Sequence, residues 1–331
     1  MTADAADTRR AALVYNPIKV DAEQLRAQVI HHSARAGWAP PLFFETTVED
    51  LGQGGVRQAL AHGVAAVLVA GGDGTVRAVS EALIGTDIPL TIVPSGTGNL
   101  LARNLQLPLD EPDRVIASTF DGDRRPVDVG IAQIVRPDGT QTEAAFVVMA
   151  GMGLDAAMIA NTRPNLKKAV GWVAYVDGAA RSLPRAKPFR LVYQVDEDRI
   201  HATRVYSVLF ANCGALPAGI ALIPDASIVD GALDVVLIRP RGWWGWFAVW
   251  RRVWWDNSVL RRFKAGRLVL ERRRDQSVRY IQAVSAEAGA TPAQAVQLDG
   301  DGFGEAVRMS CRVVEGGLLV SLPQGHPVAR L

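Results

Sequence analysis

The sequence predicts an α/β N-terminal domain on a parallel sheet, followed by a mostly antiparallel β domain of sandwich or barrel type. Two observations carry this. From residue 11 to about residue 105, apolar strand-like runs alternate with helical patterns. Beyond Asp121–Pro126 the runs are short and β-rich, with few helical patterns between them. A chain of 331 residues, 49% apolar and 21% charged, can bury two cores. The expected boundaries are 1–125 and 126–315, with the last strand near 315–331 returning to the first domain.

The first domain reads in order. Ala11–Asn16 is a strand ending at Asn16-Pro17. Asp21–Ala36 is a helix, with Asp21 as N-cap and Gly37 as its stop. Pro41–Thr47 is a second strand and Gly55–His62 a second helical pattern. Ala65–Ala70 is a buried strand that enters Gly71-Gly72-Asp73-Gly74-Thr75, and Thr75–Leu83 is the helix after it. Leu90–Val93 is a short strand entering Pro94-Ser95-Gly96-Thr97-Gly98-Asn99. Strands of the second domain are expected at Val127–Val135, Phe146–Met149, Phe189–Val195, Val205–Asn212, Leu233–Ile238, Leu268–Leu270, Val296–Leu298 and Val307–Val314. A helical insertion is expected at Asn165–Ser182.

Composition narrows the function. Two cysteines, Cys213 and Cys311, both in apolar stretches, exclude a disulfide framework or a zinc cluster and fit a reducing compartment. The N-terminus MTADAADTRR has no apolar run after its charges, and Ala144–Ala160 is too short and interrupted to span a bilayer. A cytoplasmic protein, soluble or peripheral to a membrane, is expected. The net charge of +2 hides an asymmetry. Arg241–Arg279 carries eleven Lys/Arg against three Asp/Glu, leaving the remainder acidic. Arg241–Lys264 holds six of the eight tryptophans. On a helix Trp243, Trp246, Phe247, Trp250, Val253 and Trp254 share one face, while Trp244 and Trp255 lie off it near Arg251 and Arg262. The shared face can be core. The off-face tryptophans among arginines suit an anionic headgroup boundary. No nucleic-acid motif accompanies them, so nucleic acid is not the expected partner.

The chemistry concentrates in the two glycine-rich junctions. Glycines at a strand end leading into a helix let backbone N–H groups turn toward a phosphate, with no Cβ in the way. Asp73 is the one charged group of the first junction. A carboxylate beside phosphates repels them unless it holds Mg²⁺ or takes a proton. A plain strand–helix turn with a capping Asp is the alternative. On an open parallel sheet ligands sit at the carboxyl ends of strands. The ends at Asn16-Pro17, Thr46-Thr47, Gly71–Thr75 and Ser95–Asn99 are therefore expected to converge on one crevice.

GGDGT, PSGTGN, GMGLDA and the late LDGD, in that order, resemble the diacylglycerol kinase catalytic family, which includes bacterial soluble lipid kinases and the sphingosine and ceramide kinases. The resemblance runs from Leu13 to about Leu322. It implies an NAD kinase/phosphofructokinase-like α/β nucleotide domain with a β-sandwich behind it, ATP and Mg²⁺ as cofactors, and a lipid alcohol as substrate. Diacylglycerol is the first expectation. Sphingoid bases or other lipid alcohols, an NAD kinase, or a non-catalytic nucleotide-gated lipid-binding protein are the alternatives. By position, Asn16, Pro17, Lys19, Thr46, Gly71, Gly72, Gly74, Thr75, Gly96, Thr97 and Asn99 fall in the family's nucleotide segments, and Asp73 on its catalytic aspartate. Asp155 matches a lipid head-group position of the sphingosine kinases. Ser227, Asp230 and Ala232 match a structural Mg²⁺ segment. Asp301 stands where the family has the glutamate of a DGE motif. The first loop also departs from the family's small residue, serine and glycine, reading Ile18-Lys19-Val20 after Asn16-Pro17.

Phosphoryl transfer needs positioning, charge neutralisation and a group that deprotonates the nucleophile. Asp301 is assigned as base on the lipid hydroxyl, and Asp73 as Mg²⁺ partner or second base. The lipid is expected at an anionic membrane surface, with a homodimer possible.

Overall fold

The structure, a computed structural model, describes residues 9–153, 187–214, 223, 226–240 and 278–327. Two compact units divide these residues. The first comprises residues 1–129, 228–230 and 314–331, and the second residues 130–227 and 231–313. β5 (Asp123–Val135) and β14 (Asp301–Leu322) each contribute to both.

The first unit alternates β1 (Arg10–Tyr15), α1 (Ala22–Arg35), β2 (Ala39–Glu45), α2 (Gln53–Ala61), β3 (Ala66–Gly71), α3 (Asp73–Leu83) and β4 (Leu90–Pro94). α4 (Leu100–Asn104) and α5 (Pro112–Asp121) follow. β1 pairs in parallel with both β2 and β3, and β3 with β4. The C-terminal end of β14 joins β4, Val320 opposite Leu90. The order is β2-β1-β3-β4-β14, so the chain reverses its direction of progress at β1 and β3. That is the switch point where a crevice opens at the carboxyl ends of such sheets.

Every residue of β3 is buried, which its uninterrupted apolar run requires of a strand covered on both faces. On one face Leu13, Tyr15, Leu68 and Ala70 pack with Leu25 and Val29 of α1 and Ile116 of α5. α2 approaches the other face through Gly55, where an added Cβ would lie 2.9 Å from Phe44 Cβ. The α1 ends are those expected. Asp21 accepts from the Gln24 N–H at 3.0 Å, and Gly37 follows the helix at φ 72°. α5 is not among the expected helices, although its Pro at the start and Asp113 in the first turn are helix-start signals.

The second unit is antiparallel. β7 (Met149–Gly153) lies between β10 (Ser207–Ala211) and β13 (Ser285–Leu298). β11 (Leu233–Ile238) and β12 (Val278–Ala283) extend one side. β14, β8 (Phe189–Val195) and β9 (His201–Val205) extend the other, and β6 (Gln141–Phe146) pairs with β5. One core joins Ile134 and Phe146 of β5 and β6 to Leu191, Phe210, Val235, Leu298 and Met309.

Several strand boundaries move: the expected Val296–Leu298 and Val307–Val314 are parts of the longer β13 and β14, and two expected strands are divided. The expected strand Phe146–Met149 straddles a corner, since β6 ends at Phe146 and β7 begins at Met149. An apolar run continues through a buried corner, so hydropathy gives no sign of it. The expected strand Val205–Asn212 is likewise split between β9 and β10. Leu268–Leu270, Asn165–Ser182 and the Trp/Arg segment 241–264 lie outside the described residues.

Candidate functional site

The strand ends of the first unit meet by register. Tyr15 is opposite Ala70 and Glu45, and Gly71 is opposite Pro94. The residues after them, Asn16, Thr46, Gly72 and Ser95, therefore emerge side by side. Asn16 N–H donates to Ala70 O at 2.9 Å, and Thr46 N–H to Tyr15 O at 2.9 Å.

The first loop closes on its own asparagine. Asn16 Oδ1 accepts from Ile18 N–H at 3.0 Å, and Asn16 O from Lys19 N–H at 3.0 Å. An Asx-type turn thus forms over Asn16-Pro17-Ile18-Lys19. Pro17, Ile18 and Lys19 are exposed.

The two glycine-rich junctions pack on each other. A Cβ on Gly96 would lie 3.2 Å from Gly72 Cα and 3.3 Å from Gly71 O. One on Gly98 would lie 2.2 Å from Asp73 Oδ2, and one on Gly71 2.8 Å from Thr75 Cβ. These glycines are where the backbone closely approaches other backbone or a side chain. Gly72 differs, because a Cβ there meets nothing within 4 Å.

α3 starts two residues earlier than expected. Gly72 is its N-cap, and Asp73 lies in its first turn, where a carboxylate is favoured by the helix dipole. Asp73 Oδ1 accepts from Leu100 N–H at 2.7 Å, tying α3 to the start of α4. Asn99 adopts the left-handed conformation, φ 47°, and its Oδ1 accepts from Gly96 N–H at 2.9 Å. Arg103, absent from the expected set, donates from Nε to Gly98 O at 2.8 Å. It follows the motif by only a few residues, but the sequence shows no reason for it to turn back. Thr97 is exposed at the tip, and Gly74 and Thr75 are in α3.

Thr46 is 6% exposed, and its Oγ1 has no hydrogen-bond partner among the described residues. A buried, unpaired hydroxyl at a strand end suits a ligand contact. Just beyond it Asp50 accepts from the Gly52 and Gly54 N–H groups at 2.9 and 3.0 Å. Those bonds, Gly54's foremost, hold its carboxyl below the ordinary value.

In the second unit Asp301 opens β14, opposite Leu298, and is half-buried. The preceding Asp299 and Gly300 both have positive φ, 49° and 87°. A two-residue turn of that kind is the type I′ hairpin turn. Asp73 belongs to the first unit and Asp301 to the second. Ser227, Asp230 and Ala232 lie in or beside the turn at 228–231, where Gly231 takes φ 69° and Asp230 is exposed. Ile228 O in that turn accepts from Asp128 N–H at 2.7 Å. A carboxylate with backbone oxygens is a donor set that fits a hard divalent cation. Among the described residues no three His, Cys, Asp or Glu side chains cluster. Asp155 lies outside the described residues. Cys213 and Cys311 are buried, and burial pushes the Cys311 thiol well above its ordinary value. No helix among the described residues is long and apolar enough to cross a membrane.

Residues 10–132 match the diacylglycerol kinase catalytic domain, and residues 146–307 match the YegS C-terminal NAD kinase beta sandwich-like domain. A Mycobacterium tuberculosis diacylglycerol kinase is 34% identical over 184 residues, 55% of this chain; the match spans only about 57% of that relative's length. A Pseudomonas fluorescens protein named as a probable YegS-like lipid kinase is 28% identical over 326 residues, 97% of each chain. Among solved structures, a Bacillus anthracis diacylglycerol kinase superposes with TM-score 0.68 at 18% identity, covering 98% of each chain. An Archaeoglobus fulgidus NAD kinase in complex with ATP gives TM-score 0.51 at 13% identity, covering 95% of this chain and 94% of its own. Both likenesses are likenesses of fold, an α/β domain followed by a β-rich one.

Proposed function

This chain belongs to the family that joins a diacylglycerol kinase catalytic domain to a YegS-type C-terminal domain, and from that premise we propose that it is an ATP-dependent lipid kinase acting on a lipid hydroxyl, diacylglycerol first. The observation that carries the proposal is the nesting of the two glycine-rich junctions at the ends of β3 and β4, with Asp73 lodged against Gly98.

ATP phosphates lie against the open backbone at Gly72 and the first turn of α3, flanked by the Asn16–Lys19 turn and Thr46. Lys19, exposed on that turn, neutralises phosphate charge. Asp301 takes the proton of the attacking lipid hydroxyl, and Asp73 is the Mg²⁺ partner or a second base. Mg²⁺, when bound, supplies charge neutralisation at the phosphates. A second, structural Mg²⁺ would be held by the Asp230 carboxylate with backbone oxygens of Ser227 and Ala232. Asp155 contacts the lipid head group. The Arg/Trp stretch 241–279 brings the protein to an anionic membrane surface from the cytoplasm.

Incubating the purified protein with labelled ATP and a panel of lipids tests this. Label in diacylglycerol is the expected result. Label in a sphingoid base moves the substrate within the class, and label in NAD replaces the lipid reading with a soluble kinase. ATP binding with no product labelled refutes catalysis in favour of a nucleotide-gated binding protein.

A further inference from the structure

The hairpin that delivers Asp301 turns on Asp299, and a type I′ turn has no need of a buried carboxylate. Asparagine or glycine forms it as well, with the side chain in solvent. Asp299 is 3% exposed. Its Oδ2 accepts from Val147 N–H at 2.8 Å, and its Oδ1 from Val148 and Met149 N–H, both at 2.9 Å. Its own N–H donates to Met149 O at 2.9 Å. A carboxylate taken out of water is costly unless it is fully hydrogen-bonded, and three consecutive amides provide that.

Those amides form the corner between β6 and β7. β7 then runs from Met149 to Gly153 and into the segment that carries Asp155. On the other side of Asp299 the chain enters β14 at Asp301. The frame is closed by β7–β13 pairing, Ala150 opposite Leu298 and Gly151 opposite Gln297. Gln297, 2% exposed, accepts from Gly300 N–H through its Oε1 at 2.9 Å. One carboxylate therefore joins the segment bearing the assigned base to the strand leading to the assigned head-group residue.

We propose that Asp299 is a positioning residue of the phosphoryl-transfer reaction. It touches no substrate and acts through Asp301, by fixing where the hairpin stands against β7. This rests on the kinase reading with Asp301 as the base.

The test is a double-mutant cycle. Asp299→Asn keeps the size and the tolerance of positive φ, but replaces one acceptor oxygen with a donor facing a backbone N–H. Displacements of about 1 Å at a reacting group cost as much as about 100-fold in rate. The variant is expected to be folded by circular dichroism and to lose about 10- to 100-fold in kcat, with KM for ATP and lipid unchanged. In an Asp301→Asn background the same substitution is expected to cost nothing further, because the group it positions is gone. Gly300→Ala tests the same coupling if Asp299→Asn does not fold. Its φ of 87° strains alanine, while no atom lies within 4 Å of the new Cβ. Equal losses in both backgrounds, or a loss confined to KM, overturn the inference while leaving the kinase reading standing. A wild-type protein that labels no lipid overturns the kinase reading, and the inference with it.

Discussion

Gly72→Ala separates a glycine kept for packing from one kept for a ligand. Gly72 has φ −80° and ψ 174°, extended backbone open to alanine, and the new methyl meets no atom within 4 Å. For the protein alone the change should be neutral or stabilising by about 0.4–1 kcal/mol, since alanine narrows the unfolded ensemble. With ATP the outcome reverses. On the proposed reading, a phosphate lies in the open space beside Gly72 to reach the first amides of α3, and the methyl holds it off. Losing one charge-assisted hydrogen bond costs about 1.5–3 kcal/mol, which is about 10- to 150-fold in ATP affinity. Gly98→Ala is the contrast. Its methyl would lie 2.2 Å from Asp73 Oδ2, so it should destabilise by about 1–3 kcal/mol before any ligand is added. Urea midpoints and calorimetric titration with ATP read the two quantities separately. A Gly72→Ala protein of normal stability and normal ATP affinity would refute the phosphate cradle. A Gly72→Ala protein that is destabilised would refute the packing argument.

The other predictions concern the carboxylates and the membrane. Asp301→Asn should lower kcat by about 10²–10⁴-fold with a normal melting temperature, whereas Asp301→Glu, which keeps the carboxylate, should remain active; a fully active Asp301→Asn protein removes the residue from the mechanism. Asp73→Asn should also lower kcat by orders of magnitude, measured on labelled lipid at saturating ATP, with folding retained. Asp50 has a depressed folded-state value, so its contribution to stability is full above its ordinary value of 3.8 and is lost as pH falls through the lower folded value. Asp50→Asn should therefore be less stable than the wild type at neutral pH, with the difference closing below about pH 4 in urea titrations; a constant difference across pH contradicts the cap at Gly52 and Gly54. Arg251, Arg252, Arg261 and Arg262 to serine should weaken salt-sensitive binding to anionic vesicles and raise KM for vesicle-borne lipid, with little change on a short-chain soluble substrate; equal loss on both substrates rejects the membrane role.

The sequence by itself determined what is local or periodic. β3 was legible because six consecutive buried residues leave no face to disguise. The limits of α1 were legible because Asp21 and Gly37 act within a turn of the helix they bound. The ordered motifs identified the family, and the rule that ligands gather at strand ends brought Asn16, Thr46, Gly72 and Ser95 to one edge before any coordinate. Long-range contacts decided the rest. Nothing near Gly98 in the sequence shows that Asp73, twenty-five positions earlier, sits 2.2 Å from where its Cβ would be. Nor does the sequence divide Gly72, with open space beside it, from Gly71 and Gly96, which are packed against backbone and side chain. The corner after Phe146 was hidden because its residues are apolar and its amides are satisfied by Asp299, some 150 positions away. Propensity and periodicity are sums over neighbours in the chain. A buried carboxylate that collects three amides from another strand belongs to no such sum, and only the folded chain brings its partners within hydrogen-bond reach.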